Sequence, residues 1–442
     1  MRCLFLIGFL LLGGGVNAAL NNMGKEFMLC FMDNQIYSGG SSFDIEVFMT
    51  TTSNVDAQVN VTTPLFDATW LQQLTVSRGT ITPLNIPATI RGEGTSIAGL
   101  GVHFISTEDI TVYAVNKEKF STDGFVAYPV DAIGNDYVAV SSVDTPEIMV
   151  AAVTDGTDVS FQISNSYADS FSYQGVTYAA GDTLTVTIDR FQTFHLFSAL
   201  GDLSGTRITS TAPISAFSGN YKTTVLDTNT EITSDHLVEQ LVPTQSWGKN
   251  FITFPSPERV IGDFVRIFAS EDNTIYTVDG VDHTLQANEY DIHNFPQNQY
   301  TWVNASKGIQ VAVYSKTIGK SYTNDGVNGG DPAISICAPV ELYHADYTWS
   351  TVTTTAGDFN NYIIVVTLRD YADDLVLDNA NMTATWVDVL GNSDYIGTFV
   401  SVSPGSHNIY NTVPAHPFLG IAYGNAQYNS IAYAARNAPC SY

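Results

Sequence analysis

Positive charge is scarce in this sequence, and that scarcity limits its partners. The 442 residues include 17 Lys and Arg against 44 Asp and Glu, which gives a formal net charge of −27. Phosphate-rich ligands are bound through clustered cations, so we expect no nucleic acid partner. An anionic membrane surface is excluded for the same reason. Acidity by itself indicates solubility and repulsion from polyanions.

Long apolar runs are missing as well, except at the start. The later apolar stretches are too short to span a bilayer, so we expect no membrane insertion. The exception has a positive Arg2, an apolar core at residues 4–12, and the small-residue cleavage site Val16-Asn17-Ala18. We therefore expect residues 1–18 to be a signal peptide and the mature protein to be secreted into the extracellular space.

Cysteine is the third scarce feature. The sequence has four, and Cys3 lies in the signal segment, so Cys30, Cys337 and Cys440 remain. Cys337 and Cys440 each flank an Ala-Pro pair, and we predict that they form a disulfide that stabilises the fold by on the order of 4–5 kcal/mol. Cys30 lies in a continuous apolar run, so we expect a buried free thiol. The alternative is a covalent link to another chain.

No window keeps a helical period, and strand patterns take its place. Residues 43–49, 158–163 and 183–188 alternate between apolar and polar side chains with a period of two. Glycine, asparagine and aspartate turn signals separate such stretches. The sequence therefore predicts an all-β chain.

A short pattern recurs along the chain. An acidic residue opens a strand that ends at a proline, and an aromatic residue follows eight positions later. The three copies are Asp123 to Pro129 with Gly134 and Tyr137, Asp235 to Pro243 with Gly248 and Phe251, and Asp331 to Pro339 with His344 and Tyr347. A half copy, Gly24-Lys-Glu-Phe27, opens the mature chain. Such a period indicates a repeat architecture.

A second marker precedes each proline pattern, and we interpret it as a tight turn followed by a core strand. Its copies start at Ser106, Ser210, Ser306 and, in degenerate form, Pro417. Together the markers predict about four modules of roughly 100 residues, packed as tandem β-sandwich-like units without linkers. The alternative is a β-propeller-like ring. The predicted modules are residues 19–130, 131–243, 244–339 and 340–442.

The repeat residues are interpreted as scaffold. Proline lacks a ladder donor, so we expect strands to end at module junctions at Pro129, Pro243 and Pro339. Gly134 and Gly248 are expected to supply a turn conformation. Arg266 alternates with apolar neighbours, so a buried position would require an acidic partner, for which Asp235 or Glu239 is the candidate.

Motifs for chemistry are few. No His-Glu-x-x-His or paired Cys-x-x-Cys motif occurs, and we expect no cofactor. His283 and His293 fall in segments that could be neighbouring strands, but we expect surface histidines and no zinc pair. Hard oxygen ligands make one acidic loop a weak calcium candidate, although solvated turns and Asx-capped hairpins are the favoured interpretation. Its residues are Asp370, Asp373, Asp374 and Asp378.

Three Asn-x-Ser/Thr sequons, at Asn60, Asn304 and Asn381, predict N-glycosylation in an exported chain. A sequon inside a folded strand can be skipped, which applies to Asn60 and Asn304 in their strand-like surroundings.

Several ordered segments resemble the N-terminal domain of the IgG Fc-binding protein family. They include residues 24–29, 121–129, 205–220, 235–251 and 265–274, and with Asp331-Pro332 and Pro339 they place residues 24–440 in one such region. The resemblance implies a secreted, non-enzymatic domain. In larger members that domain lies beside cysteine-rich, mucin-like repeats in mucus or extracellular matrix, and this chain lacks such repeats. The resemblance is used for class and location, and it supplies no antibody-binding residues.

We therefore expect a secreted binding or structural protein of adhesion, mucus or matrix, which recognises an extracellular protein or glycan through exposed loops. A carbohydrate-acting hydrolase is the alternative, and it would require a cleft with two carboxylates about 5–10 Å apart. A self-assembling coat protein is a third possibility.

Overall fold

Strands make up nearly all of the regular structure. The computed structural model describes residues 22–35, 44–226, 233–317, 330–352, 359–426 and 429–434. Within these ranges the chain forms 33 strands and four short 3-10 helices. The prediction of an all-β protein is therefore confirmed. No helix in the described ranges has the length and apolar character needed to cross a membrane.

The first block of strands precedes Pro129. Its strands are β1 (Met23–Leu29), β2 (Asp44–Thr50), β3 (Ala57–Thr63), β4 (Asp67–Val76), β5 (Thr82–Ile86), β6 (Ser96–Ala98), β7 (Val102–Glu118) and β8 (Ser121–Val126), with a 3-10 helix at Ala88–Ile90. Seven of them form one sheet in which β7 pairs with β1, β2, β3 and β8. The short β6 leaves this sheet and pairs with the next one.

The second block lies between Pro129 and Pro243. Its strands are β9 (Gly134–Val138), β10 (Pro146–Ala152), β11 (Thr157–Gln162), β12 (Ser170–Tyr173), β13 (Val176–Ala179), β14 (Thr183–Ile188), β15 (Thr193–Phe197), β16 (Arg207–Thr223) and β17 (Asp235–Gln240). All but the β12–β13 hairpin join β6 in an eight-stranded sheet. A 3-10 helix at Thr244–Ser246 leads to the third block.

The third block ends at Pro339 and the fourth follows it. The third contains β18 (Gly248–Thr253), β19 (Asp263–Ala269), β20 (Thr274–Val278), β21 (Val281–Leu285), β22 (Tyr290–Phe295), β23 (Tyr300–Ser315) and β24 (Ile334–Ile336). The fourth contains β25 (Asp346–Ser350), β26 (Asn360–Leu368), β27 (Leu375–Leu377), β28 (Ala380–Asn381), β29 (Val387–Leu390), β30 (Tyr395–Val402), β31 (Ser406–Asn411), β32 (Leu419–Ala426) and β33 (Asn429–Ala434), with 3-10 helices at Val340–Leu342 and Arg369–Asp374. A parallel pairing of β23 with β29 joins the third block and five strands of the fourth into a twelve-stranded sheet, while β25, β27, β28 and β31 form a separate sheet.

The second sequence marker lies inside long strands and does not form the expected tight turn. In the first three blocks it falls within β7, β16 and β23, which have 16 or 17 residues each. The ladder registers shift beside the marker, for example between Thr209 and Ile214 of β16. A β-bulge bends a strand without ending it, so one long strand can pair with neighbouring strands on both sides of the bend. The interpretation as a turn is therefore wrong.

The last strand of each block lies at the centre of the molecule. β8 packs against β17 and β33, and β24 packs against the same two strands. The contacts therefore run β8, β17, β24, β33 and back to β8. The first and fourth blocks also meet directly, because the Tyr113 hydroxyl donates a hydrogen bond to the Thr348 carbonyl at 2.7 Å. The arrangement of the repeats, as tandem modules or as a propeller-like ring, and the four-module boundaries stay predictions.

Candidate functional site

In each of the first three blocks, the glycine of the repeated pattern near the start contacts the proline at the end of the same block. A Cβ atom on Gly248 would lie 2.2 Å from that of Pro339, and one on Gly134 would lie 2.7 Å from that of Pro243. Both glycines begin strands and neither has a positive φ. The expectation that they supply a turn conformation is therefore wrong. Glycine is required there because a side chain would collide with the proline ring.

The first copy and the prolines follow the same geometry. Gly24, from the half copy, would place a Cβ atom 2.4 Å from that of Pro129. Each proline of the pattern lies three residues beyond the end of β8, β17 or β24. The first three blocks are thus built alike: in each, a glycine near the start contacts a proline at the end of the same block.

The acids of the repeated pattern are buried at the centre. Asp235 Oδ1 accepts hydrogen bonds from the backbone N–H groups of Thr122 at 2.7 Å and His236 at 2.8 Å. Burial raises the pKa of Asp235, and the charges of Asp331 and Asp123 raise it further. Burial also raises the pKa of Asp331, to about 7. Asp235 and Asp123 thus accept from backbone N–H groups of neighbouring blocks, those of Thr122 and Val238, so their arrangement is that of a scaffold.

A buried ion pair joins the second block to the third. Arg266 donates to Asp202 Oδ2 at 2.7 Å and to the Ser141 carbonyl at 2.8 Å. Burial opposes the charge on Asp202, but Arg266 and hydrogen bonds from serine hold its pKa below the ordinary value. The expected partners Asp235 and Glu239 are therefore wrong, because the acid comes from a loop of the preceding block.

The same ion pair supports a tyrosine at the surface. The Arg266 guanidinium lies 5.2 Å from the ring centre of Tyr290, and the Tyr290 hydroxyl donates to Asp202 Oδ2 at 3.4 Å. The ring also packs on Phe268 at 5.1 Å. Tyr290 is half-buried. Its orientation is thus set by two blocks at once.

A cleft of about 750 Å³ opens beside Tyr290, between the second and third blocks. Amide, hydroxyl and carboxylate groups contribute much of its wall. The lining residues with such side chains are Gln162, Ser164, Asn165, Ser166, Thr284, Gln286, Asn288, Glu289, Tyr290 and Asp291. Its volume falls in the range of small-molecule sites, but its wall is more polar than is usual for them. It is the candidate binding site.

The cleft had no signal in the sequence. One wall is the segment after β11, and the other runs from β21 into β22, more than a hundred residues later. Neither segment belongs to the repeated pattern. Only the packing of two blocks brings them together.

A cluster of polar side chains lies beside the cleft on β20, β21 and β22. Ligand atoms of His283, Asp291 and His293 lie within 4.8 Å of one another, and all three residues are half-buried. The Tyr276 hydroxyl donates to Asp291 Oδ2 at 2.6 Å and lies 2.8 Å from His293 Nε2. The two histidine rings are 5.1 Å apart in an edge-to-face arrangement. They are thus in direct contact, which differs from the expectation of surface histidines.

The predicted calcium residues do not gather in one place. Asp370, Asp373 and Asp374 lie in the 3-10 helix Arg369–Asp374, and Asp378 lies in the following turn. Asp378 Oδ2 is 2.7 Å from His407 Nδ1. Within the described residues, the cluster of three His, Cys, Asp or Glu ligands is the one around Asp291. Calcium binding at the predicted loop stays a prediction.

The modification sites are partly described. The sequon residues Asn60, Asn304 and Asn381 are all exposed, although each lies in a strand. Cys30 is buried, and burial raises the pKa of its thiol well above the ordinary value. Cys337 is buried too. Cys440 lies outside the described residues, as do residues 1–18, so the disulfide and the signal peptide stay predictions.

The strands and the cleft define an all-β domain with a polar cleft at its surface and a buried scaffold. Comparison with known proteins agrees with that class. The family described as IgGFc binding protein matches residues 123–424, which is more than half of the chain. The chain therefore belongs to the IgGFc binding protein family.

A human relative extends the match. The IgGFc-binding protein of Homo sapiens is 26% identical over 415 residues, or 91% of this chain. The chain spans only 7% of the length of that relative. The family resemblance predicted from the sequence is thus confirmed, and the family name is that of a binding protein.

Proposed function

We propose that this chain is a secreted binding domain whose cleft between the second and third blocks holds an extracellular glycan or glycosylated protein. The observation that carries this proposal is the polar cleft of about 750 Å³ around Tyr290. Hydroxyl and amide groups can pair with the many hydroxyls of a sugar, and a fixed aromatic ring can pack on its apolar face.

The charge of the cleft narrows the class of ligand. Glu289 and Asp291 line it, and no lysine or arginine is among its described lining residues. An anionic ligand such as a sulfated or sialylated chain would meet these carboxylates, while the nearby cations Arg207 and Arg266 are already paired with Asp136 and Asp202. The favoured ligand is therefore a neutral glycan, free or on a protein.

The relative's name supplies one protein ligand to test. The human protein is named for binding IgG Fc, and this chain corresponds to a small part of it. Fc is thus a candidate partner of this chain, to be tested beside neutral glycans.

The test is a glycan array combined with surface plasmon resonance on immobilised Fc. The double variant Gln162→Ala/Asn165→Ala removes two exposed amides from one wall of the cleft. Loss of binding in this variant is expected, with binding kept in the matched control Gln73→Ala/Asn85→Ala on the exposed face of the first block. Equal binding by both double variants would contradict the cleft as the site.

Export is tested separately. The signal pattern and the three exposed sequons support secretion as a glycoprotein. Expression in secretory cells should yield a chain in the medium that begins at or near Ala19. Retention of the full chain inside the cells would oppose this part of the proposal.

A hydrolase is the second candidate, because two carboxylates share the cleft. Each is already engaged: Glu289 Oε2 accepts from the Gln286 N–H at 2.7 Å, and Asp291 accepts from Tyr276. Binding without cleavage is therefore favoured. Release of shorter sugars from a bound glycan, abolished by Glu289→Gln, would favour the hydrolase instead.

A further inference from the structure

We propose that His283, Asp291 and His293 form a site for a zinc-class divalent cation on the third block. Two imidazole nitrogens and one carboxylate oxygen come within 4.8 Å of one another there. Two histidines and one carboxylate are the ligand set of many open zinc sites, in which water or another ligand takes the fourth position.

The backbone brings these three side chains together from two strands. His283 lies on β21, opposite Tyr276 of β20 in the antiparallel register. Asp291 and His293 are two residues apart on β22, so they project from the same face of that strand. The faces of β21 and β22 meet at this point, since the rings of His283 and His293 are in contact.

The distances need only a small adjustment to hold a metal. Zinc–ligand distances of about 2.0–2.2 Å place tetrahedral ligand atoms about 3.4 Å apart. The present separations of up to 4.8 Å therefore require closure by about 1.4 Å at most. Side-chain rotations of the half-buried histidines can supply that closure without movement of the strands.

Packing alone explains the cluster incompletely. The buried Tyr276 hydroxyl donates its one proton to Asp291, so it can only accept from His293 Nε2–H, which leaves His293 Nδ1 for a ligand. His283 stacks on the Tyr276 ring at 4.9 Å, and within the described residues its ring nitrogens receive no hydrogen bond. A half-buried imidazole that faces a second imidazole and a carboxylate has free ligand capacity.

The Tyr276 hydroxyl contacts two of the proposed metal ligands and can hold them in place without binding the metal itself. It holds the carboxylate of Asp291 and lies beside His293 Nε2. Hydrogen bonds of this kind orient metal ligands, and their removal weakens metal affinity by about 10–100-fold. Tyr276 is thus a positioning residue of the proposed site.

The ligand set also predicts which metal is bound. Imidazole nitrogen suits zinc, copper and nickel, whereas calcium and magnesium require several oxygen ligands. Zinc is therefore expected to bind, and calcium is expected not to compete. Asp291 belongs both to the cleft wall and to the proposed metal site, but zinc binding is measured without any glycan or Fc, so the two proposals can fail separately.

The experiment is zinc titration of the whole mature chain, carrying a purification tag without histidine. Isothermal titration calorimetry with zinc chloride and metal analysis after dialysis should both give one zinc per chain. An excess of calcium chloride should leave the zinc affinity unchanged. Absence of zinc binding, or displacement of zinc by calcium, would overturn the proposal.

Single substitutions test whether these three residues are the ones that bind zinc. His283→Phe keeps a ring on Tyr276 but removes the nitrogen ligand, so zinc binding should be lost while the metal-free melting temperature is kept. Tyr276→Phe should weaken binding by about 10–100-fold. His416→Ala, which removes a half-buried histidine that contacts Tyr371 far from the site, is the control. Unchanged zinc affinity in His283→Phe would place the metal elsewhere and refute the assignment.

Discussion

Removal of the Asp202 carboxylate should destabilise the protein strongly, because it leaves the Arg266 charge buried between two blocks. The side chains of Arg266 and Asp202 are 9% and 13% exposed and lie 2.7 Å apart. Removing one member of a buried pair costs about 3–5 kcal/mol, since the remaining charge is desolvated without a counter-ion. Asp202→Ala should therefore lower the free energy of unfolding by about that amount in urea titrations followed by fluorescence.

The same chain contains a matched control. Arg369 and Asp388 are joined at a similar distance, 2.8 Å, but their side chains are 46% and 82% exposed. An exposed pair contributes about 0–1 kcal/mol, so Asp388→Ala should have little effect. Replacing both members of the buried pair, in Asp202→Leu/Arg266→Met, should recover much of the stability lost in Asp202→Ala. Similar effects of Asp202→Ala and Asp388→Ala would refute the reasoning from burial.

The pH dependence of the pair has a definite sign. Arg266 and serine hydrogen bonds hold the pKa of Asp202 below its ordinary value, despite burial. A depressed pKa contributes stability above the unfolded value, about 3.9, and that contribution is lost as the pH falls further. The difference in stability between wild type and Asp202→Ala should therefore be constant from pH 5 to 7 and decrease below about pH 4.

Three more predictions concern the scaffold and the surface. Gly248→Ala places a methyl group against the Pro339 ring and should lower the free energy of unfolding by about 1–3 kcal/mol. An unchanged free energy of unfolding would mean that the backbone around Pro339 shifts to accommodate the methyl group. Burial raises the pKa of Glu147 from 4.5 to about 7, so its contribution to stability falls as the pH rises through that interval, by on the order of 3 kcal/mol. Glu147→Gln should remove this decline in pH-dependent unfolding curves, whereas an unchanged slope would assign it to other groups. Because all three sequon asparagines are exposed, glycosidase treatment of the secreted protein should lower its mass, and an unchanged mass would mean that the sequons are unused.

The repeated pattern correctly identified residues that pack against one another, but the physical role assigned to its glycines was wrong. The pattern singled out Gly134 and Gly248, which do pack against prolines of the same pattern, but local reasoning assigned these glycines to turns. Their reason is the approach of a proline about a hundred residues away in sequence. A contact of that range leaves no trace in the local propensity of the glycine.

The ion-pair partner of Arg266 also could not be predicted from the local sequence. Its alternation with apolar residues on β19 correctly indicated a buried guanidinium in need of an acid. The sequence offers 44 acidic residues, and only the packing of the second block on the third selects Asp202. The nearest acids of the repeated pattern were therefore the wrong choice, because they are bonded to backbone groups at the centre.

The sequence by itself determined the all-β class, a few strands such as those near residues 43–49, 158–163 and 183–188, and the family, since these follow from alternating side chains and from short ordered segments. Tertiary structure alone decided the closed order of β8, β17, β24 and β33, the cleft beside Tyr290, and the meeting of His283 with Asp291 and His293. The physical reason is the range of the interactions. Strand patterning acts between neighbours in sequence, whereas a cleft or a ligand cluster forms only where separate strands are packed face to face.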